Sequence, residues 1–116
     1  MSEISIYHNP RCSKSRQTLA LLEENGVQAD IIEYLKTPPT AASLTTILLQ
    51  LDIPARQLLR KGEAIYKELN LKDETLTDEQ LIQAMCDNPK LIERPIVIHN
   101  GKAKIGRPPE SVLEIL

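Results

Sequence analysis

The sequence predicts an α/β fold, a mixed β-sheet with a helical segment inserted into it. Three observations lead there. A strand, a helix and a second strand follow one another within the first 35 residues. Residues 40–88 then carry only helical patterns. Finally, two short apolar runs flank Asn100-Gly101, a strong two-residue hairpin signal.

Ile4–Tyr7 reads as the first strand, and Asn9-Pro10 breaks it. From Ser13 the spacing of Thr18, Leu19, Leu22 and Glu23 is helical, and the helix should run to about Asn25. Gly26 suits a left-handed position at its end. Ala29–Leu35 alternates and is rich in Ile and Tyr, as a second strand would be. Strand, helix and strand in some thirty residues form a βαβ unit, with parallel strands and a right-handed crossover. Thr40 can cap a helix bearing Leu44, Ile47, Leu48 and Leu51. Pro54 opens a short helix, and a further piece holds Ile65, Tyr66 and Leu69. Thr77-Asp78-Glu79-Gln80 matches a capping box, and Asn88-Pro89 stops the helix that follows. Pro95–His99 and Lys102–Ile105 form the hairpin, and Pro108 or Pro109 begins a last helix over Glu110–Leu116. The order β-α-β, helices, β-β-α is a thioredoxin-like (glutaredoxin-like) arrangement. A single domain over 1–116 is expected, with the helical insertion at about 40–90.

The chain has 116 residues, enough for a real core. Its 14 basic and 16 acidic side chains leave a net charge of −2, which argues against a general nucleic-acid binder. With no Trp or Phe, the core must be built of Leu, Ile, Val and Ala. No apolar run has membrane-spanning length and no signal segment is evident, so a soluble, cytoplasmic protein without membrane partners is expected. Cys12 and Cys86 make neither a disulfide framework nor a zinc pattern, and no metal is expected.

Cys12 falls on the turn from the first strand to the first helix. Unpaired N–H groups and the positive end of the helix dipole favour an anion there, and a thiolate is an anion. His8, Arg11, Lys14 and Arg16 add positive or potentially positive charge nearby. Such surroundings turn a cysteine into a nucleophile. The motif is C-x-x-S, with Ser15 where a thioredoxin carries its resolving thiol, so an outside thiol must reduce the site.

Tyr7-His8-Asn9-Pro10-Arg11-Cys12-Ser13-Lys14-Ser15-Arg16 resembles the signature of the glutaredoxin-coupled arsenate reductase family. Glu93-Arg94-Pro95-Ile96-Val97 and Ile105-Gly106-Arg107-Pro108 resemble its later motifs, and Arg60 falls where the family carries its first anion-binding arginine. The resemblance runs over nearly the whole chain. It implies Cys12 as nucleophile, His8 as the residue that helps keep the thiol ionised, and Arg60, Arg94 and Arg107 as oxyanion ligands. It also implies a cis peptide at Pro95, arsenate or a similar oxyanion as substrate, glutathione as co-substrate, glutaredoxin as partner and no tightly bound cofactor. Arg11, Ser13 and Lys14 stand where such enzymes tend to carry small or neutral residues, and the chain ends soon after the last helix, so it resembles a short side branch. Two other functions fit the same residues: a monothiol glutaredoxin-like oxidoreductase, and a redox-responsive regulator that binds RNA polymerase. Arg16 and Arg56 read as solvated, His99 as exposed, Cys86 as a core residue, and Tyr7 and Tyr34 as packing residues.

Overall fold

Ile4–Tyr7 (β1) lies at the centre of a four-stranded sheet, ordered β2-β1-β3-β4. The structure is a computed structural model and describes residues 4–116. Its contacts divide the chain into two units, one running to Thr37 and resuming at Arg94–Leu116, the other Pro38–Glu93.

In the first unit, β1 pairs in parallel with β2 (Asp30–Ile32) and antiparallel with β3 (Ile96–His99), which pairs antiparallel with β4 (Lys102–Ile105). Helix α1 (Ser13–Glu24) connects the two parallel strands, as the βαβ reading requires. Gly26 follows it at φ +73°, a conformation that glycine adopts without steric cost. Asn100 and Gly101 both take positive φ, which a type I′ hairpin turn demands. The mixed, thioredoxin-like sheet is therefore the one the sequence predicts. Ile4, Ile6, Leu22, Val97, Val112 and Ile115 form its buried core.

Two elements differ from expectation. β2 covers three residues instead of seven. The chain turns at Glu33, whose carbonyl accepts from the Lys36 and Thr37 amides, and this sends Tyr34 inward. Tyr34 stacks on Tyr7 with ring centroids 6.5 Å apart. The last helix is a 3-10 helix, Pro109–Ile115. Its buried residues, Pro109, Val112 and Ile115, recur every three positions, so three residues per turn places all of them on one side.

The second unit is helical. Helix α2 (Ala41–Leu51) has Thr40 as its cap, accepting from the Ser43 amide. Two short helices follow, α3 (Ala55–Leu58) and α4 (Ala64–Glu68). The last, α5 (Asp78–Asp87), starts at a complete capping box, with Thr77 and Gln80 each bonded to the other's backbone N–H. Leu44, Leu58, Leu81 and Met85 are all but inaccessible in its core. Arg56 is not solvated as expected. It is half-buried and donates to the Leu71 and Asp73 carbonyls at 2.7 and 2.8 Å, tying α3 to the loop after α4. No helix among the described residues is long and apolar enough to cross a membrane.

Candidate active site

The strand register sets the site. Tyr7 pairs with Ile96, and Ile96 with Ile105. The residue after β1, the residues before β3 and those after β4 therefore share one end of the sheet. That end carries His8, Arg94-Pro95 and Gly106-Arg107, with the turn to Cys12 leaving from it.

Cys12 is the N-cap of α1. Its amide donates to the Asn9 carbonyl at 3.0 Å, and the Arg11 amide donates to Asn9 Oδ1, which closes the turn between strand and helix. The Cys12 side chain is 8% exposed and makes no capping hydrogen bond. A Ser, Thr or Asp here would occupy the first free amides of the helix, whereas a thiol leaves their dipoles facing outward.

His8 behaves differently from the expected source of positive charge. It is 6% exposed, its backbone N–H donates to the Ile32 carbonyl, and its Nδ1 lies 2.6 Å from Ser15 Oγ. Burial lowers its pKa below the ordinary value. The Glu33 carboxylate opposes that effect and Arg16 adds to it, so the ring is held toward its neutral form. Ser15 Oγ also accepts from the Asn9 amide at 3.0 Å. A Ser15 hydroxyl that donates to Nδ1 while accepting from Asn9 satisfies all three groups, with the imidazole proton on Nε2. The sequence marked Ser15 only as an absent thiol. Its full burial beside His8 is a tertiary fact.

The peptide bonds before Pro95 and before Pro108 are both cis, the first as the resemblance implied and the second beyond it. Gly106 lies between α1 and Pro95. A Cβ added there would come within 2.5 Å of Thr18 Oγ1 and 2.8 Å of Pro95 Cγ. The Gly106 amide donates to the Pro95 carbonyl, and Arg107 Nε donates to the Arg94 carbonyl at 2.9 Å. The two arginines are thus braced against each other across the base of the hairpin. Nothing in the local pattern marked this contact: Thr18 read only as a helical position, and Gly106 stood only within the quoted motif.

Arg60 belongs to the second unit. Its amide donates to the Leu91 carbonyl, and its guanidinium pairs with Glu63 at 3.4 Å and Glu93 at 3.7 Å. Cys86 lies half-buried on α5, where burial and then the Asp87 charge push its thiol pKa up, away from nucleophilic use. His99 is half-buried rather than exposed, with Nδ1 hydrogen-bonded to the Ile115 carbonyl. Arg16 is exposed as expected, and donates to the Pro10 carbonyl.

Comparison with known proteins agrees with this geometry. The ArsC family model matches residues 7–115. The chain belongs to the ArsC family. It is 62% identical to YfgD, described as an uncharacterized protein of Escherichia coli K12, over 98% of this chain and 97% of that one. It is 48% identical to an arsenate reductase of Neisseria meningitidis over 100% of both chains. Among solved structures, an arsenate reductase from Vibrio cholerae superposes with a TM-score of 0.96 at 54% identity, covering 97% of each chain. The ArsC membership accounts for the thioredoxin-like sheet and for the motifs that place Cys12, Arg94 and Arg107 at one end of it.

Proposed function

We propose that this protein is an arsenate reductase that uses Cys12 as nucleophile, glutathione as co-substrate and glutaredoxin as partner. The observation that carries the reading is an uncapped Cys12 at the N-terminus of α1, on the sheet end that also holds Arg94 and Arg107. The relatives named arsenate reductase supply the substrate. Near neutral pH arsenate is a tetrahedral anion, and guanidinium groups bind such oxyanions through paired, charge-assisted hydrogen bonds. Arg94 and Arg107 hold the ion and stabilise the charge that develops as sulfur attacks arsenic. The resemblance gives Arg60 the same task; in the second unit its guanidinium pairs with Glu63 and Glu93.

The electrons balance over two thiols. Cys12 sulfur bonds to arsenic and one oxygen leaves as water. Glutathione sulfur then attacks, arsenic gains two electrons and departs as arsenite, and the two sulfurs are left joined as a disulfide. Glutaredoxin exchanges its own thiol into that mixed disulfide and regenerates Cys12, because Ser15 cannot. This chemistry belongs in the reducing cytoplasm.

The test is turnover of arsenate by the purified protein with glutathione, glutaredoxin and NADPH-coupled recycling, followed by a challenge with a glutathione mixed disulfide. Cys12→Ser should abolish arsenate turnover and Cys86→Ser should keep most of it. Turnover of the mixed disulfide alone would replace this reading with a glutaredoxin-like one.

A further inference from the structure

A cleft of about 210 Å³ opens at the same end of the sheet, between the turn that leads to Cys12 and the turn that follows β2. Arg11, Glu33 and Lys36 supply its charge, with Pro10 and Leu35 as apolar wall. The Arg11 guanidinium makes no hydrogen bond or ion pair with the described residues; only its backbone amide is engaged. Glu33 meets Lys36 at 3.5 Å, through side chains 40% and 77% exposed. An exposed pair of that kind is weak and yields readily to a better partner. The cleft therefore gathers an uncommitted cation, an anion and a second cation, and Arg11 is the residue before Cys12 in the chain.

A bare oxyanion fits this pattern badly, because Glu33 repels it. A zwitterion fits well. We propose that the cleft binds the α-amino-acid head of the thiol co-substrate, the γ-glutamyl end of glutathione, with Arg11 on its carboxylate and Glu33 on its ammonium group. Lys36, released from Glu33, then adds a second cation beside the carboxylate. Arg11, which stands where the enzymes resembled in sequence tend to carry a small or neutral residue, becomes a specificity residue for the reducing thiol rather than for the oxyanion. The inference rests on the glutathione-dependent reading above.

The test separates the two. Binding of S-methylglutathione, which cannot react, is followed by calorimetry and by amide NMR shifts. Saturable binding is expected, with shifts at the amides of His8, Asn9, Arg11 and residues 33–36. Arg11→Ala and Glu33→Gln should each weaken it about tenfold, as loss of one charge-assisted hydrogen bond would. The N-acetylated ligand, whose ammonium is blocked, should bind the wild type with a similar loss. Equal binding by both variants, equal binding of the N-acetylated ligand, or no binding at 20 mM would each overturn the proposal. In parallel, arsenate turnover is measured with glutathione and with 2-mercaptoethanol. Arg11→Ala should raise KM for glutathione about tenfold more than it raises KM for 2-mercaptoethanol, whatever it does to the rate with both; an equal change for the two thiols would overturn the assignment of Arg11. If no thiol supports arsenate turnover while S-methylglutathione binds as described, the arsenate reading falls and the cleft assignment stands.

Discussion

At Cys12 and its neighbours, single side chains divide between the proposed anion site and the architecture of the turn. Arg107 donates to the Arg94 carbonyl through Nε, which fixes one edge of its guanidinium, and the proposed function gives its planar fork to an oxyanion. Arg107→Lys keeps the charge but loses the planar fork, so arsenate turnover should fall about tenfold or more. Unchanged kcat/KM would remove Arg107 from the site. His8 and Ser15 hold the turn instead. The His8 pKa lies below its ordinary 6.5, so the unfolded chain takes up a proton first as the pH falls. The stability contribution is therefore complete above about 6.5 and is lost as the pH falls toward the lower folded value. The wild type should lose more stability than His8→Gln between about pH 7.5 and about pH 5.5, in denaturant titrations. Equal losses would mean that the ring is not held neutral by burial.

Between elements, Gly106 is the tightest contact at the site. Thr18 of α1 and Pro95 before β3 leave no room for a methyl group. Thr18 is itself anchored, its hydroxyl donating to the Lys14 carbonyl at 2.8 Å. Gly106→Ala must displace either the helix or the cis-proline segment, at an expected cost of about 1–3 kcal/mol. Because the displaced segments carry Cys12 and Arg94, turnover should fall along with stability. Thr18→Ala removes the nearest obstruction, so the double variant should recover part of the loss. A Gly106→Ala protein with wild-type stability and rate would show that the contact is loose. Other junctions follow local rules. The Thr77–Gln80 capping box starts α5, and Asn100-Gly101 turns the hairpin.

Over the whole molecule, two units carry separate cores, one under the sheet and one among the helices. Leu22 is fully buried and joins α1 to β1, β3 and the terminal 3-10 helix. Leu22→Ala should cost about 2–5 kcal/mol, a large share of the roughly 5–15 kcal/mol typical of a domain. The midpoint of urea unfolding should fall, with little change in slope. A midpoint unchanged within error would mean that the sheet core is not what holds this unit together. Alanine at Leu49, which is 77% exposed, should leave the midpoint where it is.

The sequence alone determined what depends on a few neighbouring residues. The order of strands and helices, the Asn-Gly turn, the Thr40 and Thr77 caps and the position of Cys12 on a strand-to-helix turn were legible, because backbone rules act within about one helical turn. The motifs carried the family, and with it the candidate arginines. Only the tertiary structure decided what those side chains meet. Arg56 and Arg60 look alike in sequence, yet one ties carbonyls together and the other pairs with two carboxylates. His8 lies one residue beyond a strand, where no alternation says whether it is wet or dry. Its burial, its bond to Ser15 and its approach to Glu33 set its charge. The last segment reads as a helix in any scan, and it took the core under Val112 and Ile115 to wind it at three residues per turn. Hydration, charge state and close contact are properties of atoms brought together from distant parts of the chain, and they form only when the sheet closes over its core.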